Sequence, residues 1–199
     1  MKLQASLFSI ALAVLLVAAS TSASAAAETP KRGGTLTFAV SAEPPNYDCH
    51  ANSSFAFIHP VRPHYSTLLK FNAPNYPKIT GDLATSWKVA NDGLTYTFKL
   101  RNNVKFHDGS PLTSADIKAT YDRIRTPPAG VRSLRQATYA DVATIETPDA
   151  QTVVFKLKKT NASMLSNFAS PWDCVYSAAK LKQDPKFPER NIVGTGPFT

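Results

Sequence analysis

His107-Asp108-Gly109-Ser110 places an imidazole, a carboxylate and a hydroxyl within four residues, the three groups that nucleophilic hydrolysis uses. Neighbours in one turn cannot align as orienter, base and nucleophile, because a triad draws its members from separate segments. Asp108-Gly109 reads as a turn, Ser110-Pro111 as the approach to a helix, and His107 as a side chain that helps hold the corner. Val193-Gly194-Thr195-Gly196-Pro197 has the glycines of an anion-binding loop but lacks the Lys-Ser/Thr ending and the following helix, so a tight crossover turn is expected. His50, His59, His64 and His107 show no zinc-ligand spacing, and neither Cys49 nor Cys174 belongs to a C-x-x-C pair. The chain contains no G-x-S-x-G elbow and no H-E-x-x-H pair. An enzyme is therefore disfavoured, and no cofactor or metal is expected.

The elements around these residues are legible from periodicity. Leu94, Tyr96, Phe98 and Leu100 alternate with Thr95, Thr97 and Lys99, the period-2 pattern of a strand with one face buried. Asn91-Asp92-Gly93 is a tight turn before it. Ser86–Ala90 and Val104–Phe106 are expected to pair with it as a meander, with Asn102-Asn103 at the second corner. Trp87 falls in this strand pattern and is expected in the core.

The period then changes. Thr113 is a good N-cap with Asp116 three residues on, Leu112 and Ile117 can staple across it, and Ile117, Tyr121 and Ile124 share a helical face. Thr35–Val40 reads as a strand ended by Glu43-Pro44-Pro45-Asn46, and His64–Leu69 as including a short helix. Further helices are expected at Ser133–Tyr139 and Ala162–Phe168, and a strand then a helix over Val175–Lys182. Val142–Glu146 and Thr152–Leu157 form a hairpin bent at Pro148-Asp149-Ala150.

Met1-Lys2, the apolar run Leu7–Ala19 and the small residues Ser20–Ala27 form a secretory signal peptide over 1–25, with cleavage after Ala25 or Ala27. The run is short of the ~20 apolar residues that span a bilayer. Residues 26–32 are expected as a disordered leader. The formal net charge of +8 drops by one with Lys2, and the cations are scattered. Lys156, Lys158 and Lys159 form the densest group and sit by a strand, which fits a solvated face and not nucleic-acid binding. In an oxidising compartment Cys49 and Cys174 are candidates for one structural disulfide, with two free buried thiols as the alternative.

In order, Leu83, Ala84, Trp87, Asp92-Gly93, Tyr96, Phe98, Leu100-Arg101 and Lys105 to Ile117 compose a pattern. With Gly33-Gly34-Thr35-Leu36 upstream and Val193-Gly194-Thr195-Gly196-Pro197-Phe198 downstream, it resembles the extracytoplasmic solute-binding proteins of the peptide and nickel class that serve ABC importers. The resemblance spans Gly33 to Thr199. It implies a mixed α/β, periplasmic binding protein-like fold, here only part of the first lobe, with residues 33–199 read as the N-terminal part of a longer chain. It further implies a periplasmic monomer that captures a peptide or similar solute and passes it to a permease with its ATPase subunits. Other readings are a ligand-sensing interaction protein and a secreted hydrolase.

The resemblance also places Asn46-Tyr47-Asp48 at the mouth of the interlobe cleft, where an amide and an aromatic ring suit a polar ligand with an apolar part. An Asx-type turn with Tyr47 packed on the sheet is the alternative for these residues. Trp172, between Pro171 and Asp173, is the second candidate lining residue.

Overall fold

The computed structural model describes residues 33–35, 37–40 and 42–199. The segments expected as signal peptide (1–25) and leader (26–32), with Leu36 and Ser41, lie outside the described residues. Two units are distinguished, the first ending at Phe38. Its described residues carry no regular secondary structure, and Phe38 is exposed. The strand expected over Thr35–Val40 is not formed among the described residues, Val40 included. An extended segment gains little without a ladder to join.

The second unit, from Ala39 on, begins its regular structure with helix α1 (Phe55–Val61). A 3-10 turn, Arg62–His64, follows in place of the short α-helix expected from His64. Strands β1 (Leu69–Phe71) and β2 (Ile79–Gly81) form a two-stranded antiparallel sheet. β3 (Ala84–Val89) and β4 (Thr95–Leu100) form a hairpin around Asn91-Asp92-Gly93, where Gly93 takes a left-handed φ of 68°. Helix α2 (Ser114–Arg125) follows, then β5 (Val142–Asp149), β6 (Thr152–Leu157), α3 (Met164–Phe168) and α4 (Ala178–Gln183).

The larger sheet has the order β3-β4-β6-β5, antiparallel throughout. Tyr96 opposes Phe155 and Phe98 opposes Val153, so the core faces of the two hairpins meet at the β4–β6 seam. Contrary to the expected meander, Val104–Phe106 is not a strand, and only Lys105 makes an isolated bridge, to Pro111. β6 already occupies the free edge of β4, so the later hairpin takes the place expected for 104–106. Strand β5 runs past Pro148 to Asp149, with register shifts at both ends. Proline is tolerated because β5 is an edge strand.

Helix α2 covers the sheet. Thr113 and Asp116 form the expected capping box, with the Thr113 backbone N–H 2.7 Å from the Asp116 carboxylate. Ile117, Tyr121 and Ile124 are fully buried on one face. Tyr121 meets Phe155, Phe168 and Tyr139 edge-on or nearly so, with ring centroids 5.1 to 5.5 Å apart. Ser133–Tyr139 is not a full helix, only a 3-10 turn at Ala137–Tyr139, and Val175–Tyr176 forms no strand. Trp87 is half-buried against this core, as its place on an edge strand dictates.

A second, smaller cluster joins Cys49, Phe57, Ile58, Val61, Tyr65, Cys174, Tyr176 and Leu181.

Candidate ligand-facing surface

The loop between residues 46 and 52 and the segment around Trp172 are brought together at the second cluster. Asn46 Oδ1 accepts from the Asp48 backbone N–H (3.0 Å) and from Asn52 Nδ2 (2.8 Å), closing the loop on itself. This is the Asx-turn geometry that a short amide side chain provides. The Tyr47 backbone N–H donates to Glu189 O (3.0 Å), and its ring is half-buried against the cluster.

Asp48, expected among the ligand contacts, points inward. Its side chain is 1% exposed and pairs with Arg123 at 2.6 Å; Arg123 is itself 3% exposed. The His50 backbone N–H and Tyr176 OH donate to Asp48 Oδ1 as well. The carboxylate is thus occupied by protein donors, and Asp48 shapes the loop from beneath. Desolvation pushes its pKa up, but the Arg123 guanidinium and the hydrogen bond from the His50 backbone N–H outweigh that and hold it below the usual value.

Arg123 Nη1 also donates to His50 Nδ1 (2.8 Å), which assigns the proton to Nε2, 3.1 Å from Cys174 O. Burial, aided by the Arg123 charge, lowers the His50 pKa to about 3, so the ring is neutral. Tyr176 OH donates to Asp48, and the Cys49 N–H lies 2.7 Å from the same phenol oxygen. Cys49 and Cys174 are joined by a disulfide, with their Cα atoms 6.0 Å apart.

Trp172 is half-buried. Phe57 stacks against it (5.9 Å, 16° between planes), and the Arg135 guanidinium lies 4.8 Å from its ring centroid. The neighbouring Asp173 is fully buried and bonds to Tyr139 OH through one oxygen; the other has no protein partner among the described residues. Burial raises its pKa to about 7.

Arg123, His50, Tyr176, Arg135 and Asp173 were not singled out by sequence reasoning. One signal was available for Arg123. It falls with Asp116 and Thr120 on a stripe beside the apolar face of α2, and a charge beside a buried face calls for a buried partner.

His107 does more than hold its own corner. It accepts from the Gly194 N–H at Nδ1 (3.3 Å) and approaches Gly196 O with Nε2 (3.0 Å). Gly194 and Gly196 run so close to the backbone of residues 63–65 that a Cβ on either would collide with it. Glycine serves close backbone approach here, not anion binding. Among the described residues no group of three or more His, Cys, Asp or Glu could hold a metal. No helix among them is long and apolar enough to cross a membrane.

The sheet-and-helix unit has the mixed α/β fold of part of a periplasmic binding protein. Residues 78–199 match the model of the bacterial extracellular solute-binding proteins, family 5, and the chain belongs to that family. A Brucella ovis protein named as an ABC transporter peptide-binding protein is 41% identical over 126 residues, which cover 60% of this chain and 23% of that one. The glutathione-binding protein of Escherichia coli is 36% identical over 121 residues, covering 61% and 23%. In structure, the chain resembles an A. tumefaciens R10 binding protein in complex with agropinic acid (TM-score 0.72, 30% identity, 79% of this chain and 31% of that one). It also resembles a Helicobacter pylori periplasmic binding protein in complex with the peptide STSA (TM-score 0.66, 26% identity, 77% and 34%). The chain thus spans about a quarter of the length of these curated relatives and about a third of the solved structures.

Proposed function

We propose that this chain contributes to an exported, periplasmic, monomeric solute-binding protein. It captures a peptide or peptide-like solute and delivers it to an ABC permease with its ATPase subunits. The observation that carries this reading is the family match over residues 78–199, together with relatives named for peptide and glutathione binding. Asn46, Tyr47 and Trp172 are the ligand contacts of this chain, and Asp48 acts through them by fixing the loop they share. The solute is bound without chemical change, as closure around it is the event the permease reads.

Isothermal titration of the protein with a panel of di- to pentapeptides and glutathione tests the proposal. Saturable binding of at least one peptide is expected. Tyr47→Ala and Trp172→Ala should each weaken it roughly tenfold or more, as loss of a buried aromatic contact does. Absence of binding across the panel would overturn the peptide assignment, and turnover of a peptide would overturn the reading as a binding protein.

A further inference from the structure

The disulfide fixes the backbones of residues 49 and 174 relative to each other, but it leaves the Trp172 side chain free to rotate. Phe57, stacked against the ring, is one constraint on it, and Arg135 is a second. Arg135 comes from a separate segment, laid against the 46–52 loop by the Leu134 N–H to His50 O hydrogen bond (2.9 Å). Its Nη1 and Nη2 both donate to Asn52 O (3.1 Å each), and Nη1 reaches Cys49 O (3.4 Å). The same guanidinium lies over the Trp172 ring.

These hydrogen bonds go to backbone carbonyls and not to a carboxylate. Such an arrangement uses the planar fork and the stackable face of arginine, not charge pairing alone, and lysine offers neither.

We propose that Arg135 is a positioning residue: its guanidinium sets the ring plane of Trp172 and clamps the carbonyls of the 46–52 loop. Two segments more than a hundred residues apart in sequence thereby present one surface. The importance of that surface for ligand capture rests on the function proposed above; the positioning itself does not. A purely structural role would loosen the whole unit, whereas positioning moves Trp172 and leaves distant reporters in place. Trp87, on β3, is such a reporter.

The test is fluorine NMR of the protein labelled with 5-fluorotryptophan and free of ligand. The two resonances are assigned by their loss in Trp172→Phe and Trp87→Phe. Arg135→Ala should shift the Trp172 signal by more than its linewidth toward the position of the free amino acid, with Trp87 unchanged. Arg135→Lys should restore only part of the shift. An unmoved Trp172 signal, or a Trp87 signal that moves as far, would overturn the proposal. If Arg135→Ala fails to fold, Arg135→Lys carries the same test: a shift confined to Trp172 supports the proposal and no shift overturns it. Peptide binding is not needed for any of these outcomes, so failure of the peptide assignment remains a separate result.

Discussion

The two clusters of this unit are held by different physics. Between the sheet and α2, Phe98, Tyr121, Phe155 and Phe168 fill space with apolar and aromatic surface. Around Cys49 and Cys174, an ion pair, a neutral histidine, a phenol and a covalent bond converge on one loop. Apolar packing tolerates exchanges that nearly conserve volume, at a cost usually under about 1.5 kcal/mol. A buried polar network is directional, because each donor left without its acceptor carries its full desolvation penalty. A rigid, specific surface belongs with the second kind.

Four outcomes would sharpen or break this contrast. The largest concerns the disulfide, which links residues 125 apart. Cys49→Ala/Cys174→Ala should lose about 4–5 kcal/mol in urea unfolding, as expected for closing a loop on the order of 100 residues. A midpoint unmoved by the substitutions would mean that the noncovalent network alone holds the region. Next, Arg123→Met strands the Asp48 carboxylate in the interior, and a loss of about 3–5 kcal/mol is expected. Asp48→Asn/Arg123→Met should recover much of that in a double-mutant cycle; simple additivity would show the pair to be uncoupled.

The third outcome is a pH dependence in which two buried groups oppose one another. The Asp173 pKa is about 7 in the folded chain against an ordinary 3.8, so its contribution is full below pH 3.8 and is lost as pH rises through 7. His50 has the opposite sign. Its folded pKa of about 3 against 6.5 gives a contribution present above pH 6.5 and lost as pH falls through 3. Between about pH 4 and 6.5 the two trends offset each other, each bounded by about 1.4 kcal/mol per pH unit. Asp173→Asn should unmask the His50 trend, so that the melting temperature climbs with pH across that window. A profile unchanged from the parent would exclude Asp173 as a titrating group. The smallest effect belongs to the apolar cluster, where Ile117→Val should cost only about 0.5–1.5 kcal/mol by thermal unfolding. A loss as large as that of Arg123→Met would erase the distinction between the two regions.

The same division decided what could be read from the sequence. The Asn91-Asp92-Gly93 hairpin, the Thr113–Asp116 box, the buried face of α2 and the β5–β6 hairpin all follow from residues a few positions apart. Their signals are local and were legible. The β4–β6 seam joins residues more than fifty apart, and nothing local told β6 from Val104–Phe106 as the neighbour of β4. Asp48 shows the same limit. An acid in a polar loop reads as exposed, and the partners that turn it inward, Arg123 and Tyr176, lie 75 and 128 residues on. Trp172 was visible as an aromatic at an element end, but Arg135, which lies over it, carried no mark of its own.

The disulfide has a topological side as well. Both sheet hairpins, α1, α2 and α3 all lie between Cys49 and Cys174, inside the covalent ring it closes. A protease that cuts once in the exposed Pro128–Gly130 turn therefore opens a ring instead of severing a chain. The nicked molecule keeps its mass apart from one added water. Its two pieces stay covalently joined until the disulfide is reduced.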